Sequence, residues 1–319
     1  MQVRIPAGIK FISLITTATP MNQRIVIIVA VVVIAAAAVV VLSSLSIIPI
    51  SIPGIPQLMG GRSLPSNGYV YVIGAYPNVP TIISDVVRGS PISGLKSNEG
   101  IGSLSSGTVN VILSMIKGND SFVITHGNPN APIWLIEFLD PVCPYCSIFD
   151  VYNFSQIMPF ISSGKVYYIA IYFPTHALGY YQSYLQANAT NPAAAAVLLA
   201  AFNDSVALWL QWKCIGAAKP GDVINAINYT YINNFIYLVN YVESNNQAYL
   251  VYYPIASYSL INKTYPGCQI KLTPQQALNI TGSALNNVNE VIPLLIPKQL
   301  QNNVGTPMFI IMKNPMKVG

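Results

Sequence analysis

Residues 127–146 read GNPNAPIWLIEFLDPVCPYC, and the rest of the chain is organised around this stretch. Ile133 to Leu139 (IWLIEFL) is a short apolar run between Pro132 and Asp140, the pattern of a strand buried on both faces. It carries a single acid, Glu137. Cys143 and Cys146 follow as Cys-Pro-Tyr-Cys, and then SIFDVYNFSQIMPFISSG, where Ile148, Val151, Tyr152, Phe154 and Ile157 recur at helical spacing. The two cysteines therefore stand at a strand-to-helix junction.

Two cysteines three apart in a first helical turn can close a disulfide without opening the helix. The first lies among free backbone N–H groups and the positive end of the macrodipole, both of which stabilise a thiolate. Thiols so placed titrate at about 3.5 to 7.5, against about 8.5 for a free cysteine. Pro144 suits the turn because its missing N–H would have no intrahelical partner there. The pair reads as a redox couple, with Cys143 the exposed nucleophile and Cys146 the resolving thiol. An inert disulfide or half of a zinc site are the alternatives. Zinc would need two more ligands in a paired arrangement, and Cys214, Cys268, His126 and His176 are scattered, so no metal and no cofactor are expected. Glu137 lies six residues before Cys143, and even spacing along a strand shares a face. It is expected beneath the motif, with a pKa raised by burial, exchanging a proton with the inner thiol through water.

Around this centre the order is β-β-α-β, a helical insert, then β, which implies an α/β layer structure. SFVITHG is a strand before the decisive stretch and KVYYIAIYF (165–173) a central strand after it. The chain from about 176 to 300 is mostly helical, and PMFIIMK (307–313) is a last buried strand. Between Tyr69 and Gly118, YVYVIGAY reads as strand and TVNVILSMIKG as helix, together an N-terminal extension.

The G-x-x-x-A-P turn, the acid-bearing strand, C-P-x-C and the late VGTPMFIIMK together resemble the DsbA-type branch of the thioredoxin superfamily. That resemblance implies a thioredoxin-like fold with a large helical insertion. It makes Cys143 the attacking cysteine and Thr306-Pro307 a cis-proline loop which, with Pro144 and Tyr145, positions substrate. The implied activity is thiol–disulfide exchange that forms, reduces or isomerises disulfides in exported cysteine-containing proteins. A membrane redox partner would return the enzyme to its working state, and Pro-Tyr between the cysteines hints at a potential above thioredoxin's. A thioredoxin-like scaffold in a surface or envelope complex is the alternative. The fold normally continues past the cis-proline strand with one strand and one helix; here the chain stops at Gly319, and the Tyr69–Gly118 extension is the expected replacement. Cys214 and Cys268, 54 residues apart in the insert, are expected as a structural disulfide, since free thiols are unusual outside the cell.

Composition narrows the class further. Only 8% of the 319 residues are charged (15 basic, 10 acidic), against about 25% in soluble domains. Low charge excludes a disordered polyelectrolyte, and the lack of Lys/Arg clusters excludes a nucleic-acid binder. Hydrophobic types reach 53% and mean hydropathy is +0.50. Only Ile25–Leu42 is an unbroken apolar run long enough to cross a bilayer, with a Ser-diluted continuation to Ile48. Arg4, Lys10 and Arg24 precede it and the first charge after it is Arg62, which puts the N-terminus in the cytoplasm. A cleaved signal peptide is the alternative, though its apolar core would be unusually long. The expected layout is a tail (1–24), a single-pass cell-membrane anchor (25–48), a Pro/Gly tether (49–68), the extension (69–120) and a thioredoxin-like domain (121–319). Glycosylation sequons stand at Asn119, Asn153, Asn188, Asn203, Asn228, Asn262 and Asn279, all on the exported side. Sparse carboxylates with abundant Tyr and Asn suit a hot, acidic exterior, where Cys143 would need a strongly depressed pKa.

Overall fold

The computed structural model describes residues 63–74, 77–92, 95–117 and 121–317. The expected tail, anchor and most of the tether, with Asn119, lie outside the described residues.

Six strands form one sheet: β1 (Gly68–Ile73), β2 (Glu99–Ser103), β3 (Val123–His126), β4 (Ile133–Leu139), β5 (Val166–Tyr172) and β6 (Met308–Lys313). Their spatial order is β2-β1-β6-β4-β5-β3. β4 and β5 run parallel, and every other pairing is antiparallel. Alternation along the strands splits the core in two. Leu135 and Leu139 of β4 share one face with Val70, Val72, Tyr168 and Phe309. Trp134, Ile136 and Phe138 share the other with Ile169, Ile310 and Met312. Three helices, α1 (Val79–Arg88), α3 (Pro144–Phe149) and α4 (Ser155–Ser162), cover the first face; α2 (Ser106–Lys117) lies on the second. This is a thioredoxin-like α/β fold with a large helical part.

The N-terminal pieces complete the sheet. β1 pairs with the cis-proline strand β6 from Tyr69↔Met312 to Ile73↔Met308, and β2 closes the edge beyond it. β1 and α2 match the sequence expectation, whereas α1 and β2 were not foreseen. β2 is EGIGS, with no apolar alternation to betray it. Its glycines face aromatic rings: a Cβ at Gly100 or Gly102 would stand 2.3 Å from Tyr71 or Tyr69. On the opposite side of the site, Asn314 donates to the carbonyls of Pro129 (3.1 Å) and Ala131 (2.8 Å), fixing the NPNAP turn that enters β4.

The insert consists of α5 (Thr175–Asn188), α6 (Pro192–Ala218), α7 (Val223–Ser244), α8 (Ala248–Thr264) and α9 (Pro274–Leu295). α6 is long and apolar enough to cross a membrane by length and composition, the one such helix among the described residues. Half of that stretch is buried in protein. Its Trp209 stacks on Tyr172 of β5 at 4.8 Å and donates to the Ser121 carbonyl at 2.8 Å. A disulfide joins Cys214 of α6 to Cys268 in the turn after α8, with Cα atoms 5.6 Å apart.

The sequons divide by exposure. Asn188 and Asn279 are exposed. Asn153 corrects the sequence expectation: it is only 8% exposed and carries no room for a sugar. Asn203 is half-buried with its Oδ1 enclosed, and Asn262 Oδ1 accepts from Gln211 at 2.6 Å. Asn228 turns its amide onto Asp150, at 2.9 and 3.0 Å from the two carboxyl oxygens.

Candidate active site

β4 ends by delivering Asp140, whose carboxylate accepts from the Val142 N–H at 3.0 Å and bends the chain into a tight turn. The Cys143 N–H closes that turn on the Asp140 carbonyl at 3.0 Å. Cys143 is then the N-cap of α3: its backbone is extended (φ −79°, ψ 121°), Pro144 opens the helix, and Sγ accepts from the Cys146 N–H at 3.3 Å. The thiol thus satisfies a helix donor that would otherwise lack a partner. From across the sheet, the Thr306-Pro307 peptide bond is cis, and the Cys143 thiol donates to the Thr306 carbonyl at 3.1 Å. Tertiary structure brings these residues together over 163 positions of sequence.

Cys143 is not the exposed group expected from its motif. It is 0% exposed and Cys146 1%, both as free thiols. The reason is the insert. Tyr231 donates to the Asp140 carbonyl (3.1 Å), Asn234 to Pro141 (2.7 Å) and Tyr253 to Val142, so three consecutive carbonyls before Cys143 are held by α7 and α8. Pro144 and Tyr145 stay half-buried beside the thiols.

The two thiols are tuned in opposite directions. Burial pushes the Cys143 thiol up, but the hydrogen bond with Cys146, the positive charge of His176 and the Thr306 hydroxyl outweigh it, and the net value falls to about 7. That is a moderate depression, not the deep one an acidic exterior would demand. Burial drives Cys146 well above the ordinary thiol range, helped by the neighbouring Cys143 and Glu137.

Glu137 is electrostatically coupled to both thiols. It is 3% exposed, accepts from Tyr168 Oη at 2.7 Å, and burial lifts its carboxyl to about 8 despite that bond. A second acid was missed by the sequence reading. α3 passes into a π-helical turn, Asp150–Phe154, which leads into α4. Asp150 opens that turn, and burial raises it to about 8 as well. Single π turns inside helices recur at functional sites, but they leave no periodic trace in sequence.

Asp140 and His176 were also missed as partners. One Asp140 oxygen accepts the backbone N–H of His176 (2.8 Å) and Ala177 (3.3 Å) at the start of α5, and lies 3.8 Å from His176 Nδ1. The signal was present in part: an acid directly after a buried strand, and a histidine directly after the next one. The described residues contain no cluster of three or more His, Cys, Asp or Glu able to hold a metal ion.

A match to a protein family agrees with the fold. Residues 121–210 match the family described as Thioredoxin, a span that includes both thiols and Glu137 and stops before Thr306. No curated protein matches the chain. Among solved structures, α-DsbA1 of Wolbachia pipientis is similar at 21% identity, covering 61% of this chain and 77% of that one with a TM-score of 0.36. Oxidised BdbD of Bacillus subtilis is similar at 16% identity, covering 58% and 80% with a TM-score of 0.30. MdbA, a thiol-disulfide oxidoreductase from Actinomyces oris, is similar at 13% identity, covering 60% and 75% with a TM-score of 0.30.

Proposed function

We propose that this chain is a DsbA-type thiol–disulfide oxidoreductase acting on exported cysteine-containing proteins. The observation that carries this reading is one helix N-terminus holding two buried thiols tuned apart, Cys143 lowered to about 7 and Cys146 raised, against the Thr306 carbonyl. A low-pKa thiolate is both a good leaving group and a stable product. With the pair oxidised, a substrate thiolate attacks Cys143 Sγ, the Cys143–Cys146 bond breaks, and Cys146 leaves as a thiolate that takes up a proton. Glu137, protonated below about 8, is the nearby acid able to supply it. A second substrate thiolate then attacks the substrate sulfur of the mixed disulfide and releases Cys143. The substrate is oxidised by two electrons and the enzyme dithiol carries them to a membrane redox partner. Thr306 and Pro307 line the substrate strand, and Pro144, Tyr145 and Gly305 form the surface it meets first. Residues 25–48 anchor the domain in the cell membrane, with the N-terminus cytoplasmic; Asn188 and Asn279 are the exposed glycosylation positions among the described residues.

The full burial of Cys143 favours a second reading, a non-catalytic thioredoxin-like subunit of a surface complex. Two measurements separate them. A Cys146→Ser variant should trap mixed disulfides through Cys143, and the pair's reduction potential should lie above about −300 mV, the bound for inert structural disulfides. No trapped partner together with a potential below that bound establishes the scaffold.

A further inference from the structure

Helix α7 has two faces that differ in what they touch. Its buried residues, Tyr231 and Asn234 among them, pack toward the redox turn and the rest of the insert. Its outer face is a single line: exposed Asn225, Tyr229, Ile232 and Ile236, half-buried Val239 and exposed Glu243. The steps along that line are four, three, four, three and four residues, the a/d spacing of a seam between two packed helices. Such a seam ordinarily faces a core, and here it faces solvent. Two more apolar side chains widen it. Val242 lies beside its end, and Tyr152 of the π turn stands edge-on to Phe235 at 5.5 Å. Tyr152, Tyr229, Ile232, Ile236 and Val242 are each at least 47% exposed. At roughly 100 Å² of free surface per side chain of this size, two copies present about 1,000 Å² together, the size at which specific interfaces begin.

We propose that this face is a homodimer interface, in which α7 packs antiparallel on α7 of a second copy of the chain about a two-fold axis. Such an interface is self-complementary, each residue meeting a partner residue that it also receives. The seam is symmetric about position 234. Antiparallel packing therefore sets Ile232 against the partner's Ile236, Tyr229 against the partner's Val239 and Asn225 against the partner's Glu243. The apolar residues fill the middle and a polar pair closes each end. Parallel packing would instead bring the two Glu243 side chains together, and like charges facing each other are costly.

Charge and position favour a second copy over other occupants. Glu243 is the one charged residue of α7, so no repulsion opposes antiparallel pairing. A helix that lies on a bilayer offers Lys and Arg to the lipid headgroups, and α7 has neither. The seam also lies on the side of the helix opposite Tyr231 and Asn234, away from the turn that carries the thiols. It is therefore not the surface that an exchanging substrate meets. Pairing does not depend on the oxidoreductase reading, but it bears on the same helix. α7 grips the carbonyls of Asp140 and Pro141 from one side, and the second copy braces it from the other.

Sedimentation of the full chain in density-matched detergent should give a dimer at micromolar concentration. Ile236→Glu changes an exposed side chain and should leave the unfolding midpoint in place. It puts an acid on each side of the axis and should weaken the dimer by about a hundredfold or more. Disulfide trapping reads the orientation without relying on that variant. In a Cys143→Ser, Cys146→Ser background, differently tagged Asn225→Cys and Glu243→Cys copies should cross-link to each other. Glu243→Cys copies should not cross-link among themselves, since antiparallel packing holds those positions about 27 Å apart along the helix. A monomeric wild type overturns the proposal. So does a dimer that Ile236→Glu leaves unchanged, which joins the copies elsewhere, and so does trapping between Glu243→Cys copies alone, which makes the pairing parallel. In phosphatidylcholine vesicles with brominated chains, quenching of a fluorophore on Asn225→Cys without any cross-link gives the face to the bilayer and also overturns it. None of these readouts requires exchange at Cys143, so failure of either reading leaves the other standing.

Discussion

The chain holds two cysteine pairs in opposite surroundings. Cys143 caps a helix and Cys146 lies in its first turn; Cys143 is hydrogen-bonded to Thr306 and feels the His176 charge, Cys146 feels the Glu137 charge, and their two pKa values are driven apart. Cys214 and Cys268 are joined across the insert, linking α6 to the turn after α8. The first pair is close in sequence and chemically loaded; the second is distant in sequence and topologically useful. Reactivity follows from what surrounds a sulfur, whereas cross-linking gains its worth from how much chain it closes.

Substitutions can break this contrast from either side. Cys143→Ser should abolish thiol–disulfide exchange outright while leaving stability almost unchanged, measured by dithiol-coupled turnover and denaturant titration. The paired Cys214→Ser, Cys268→Ser variant should do the reverse. Its exchange rate stays near wild type and its unfolding free energy drops by about 4 kcal/mol, the chain-entropy value for a loop of this size. Loss of exchange in that variant would mean that the insert disulfide is part of the redox machinery.

Glu137→Gln should slow exchange by about a hundredfold, the low end for a general acid–base group, and lower the Cys146 pKa by removing a neighbouring negative charge. The same acids give the stability a pH dependence of defined sign. Glu137 and Asp150 both rise to about 8 in the fold, against about 4 in an unfolded chain. The folded state therefore binds more protons, so their contribution is complete below about 4 and is lost as pH rises through about 8. Denaturant midpoints should fall across that window, and a Glu137→Gln, Asp150→Asn variant should flatten the slope. Stability that grows toward acid is consistent with the acidic exterior suggested by composition, even though Cys143 is only mildly depressed.

The smallest expected effect tests how the insert grips the site. Tyr253→Phe removes one hydrogen bond to the Val142 carbonyl and should cost about 1 kcal/mol. It should also speed alkylation of Cys143, because that carbonyl belongs to the peptide holding the buried thiol. Unchanged alkylation would show that α8 contributes packing alone.

Much of the redox half was legible because its signals are local. IWLIEFL announces a buried strand, Pro144 a helix start, and the Thr306-Pro307 pair a turn before a strand, each within a few residues. Glu137 was legible too, since strand periodicity alone puts it on the face beneath the motif. β2 was invisible, because EGIGS, with two glycines in five residues, has no pattern and exists here by lying against Tyr69 and Tyr71. The π turn at Asp150 was equally silent, as its spacing differs from a helix by one residue.

The sequence alone determined the chemistry available: four cysteines, the C-x-x-C at a helix start, an acid in a buried strand, and an apolar segment at 25–48. Only the tertiary structure decided the environment of that chemistry. Burial of Cys143, the grip of Tyr231, Asn234 and Tyr253 on its turn, and the contact of the Thr306 and Thr175 hydroxyls depend on hydrogen bonds between residues 91 to 131 positions apart. Short-range spacing encodes which faces and turns a segment prefers; the desolvation and hydrogen bonding that set a thiol's pKa come from whatever the fold packs against it.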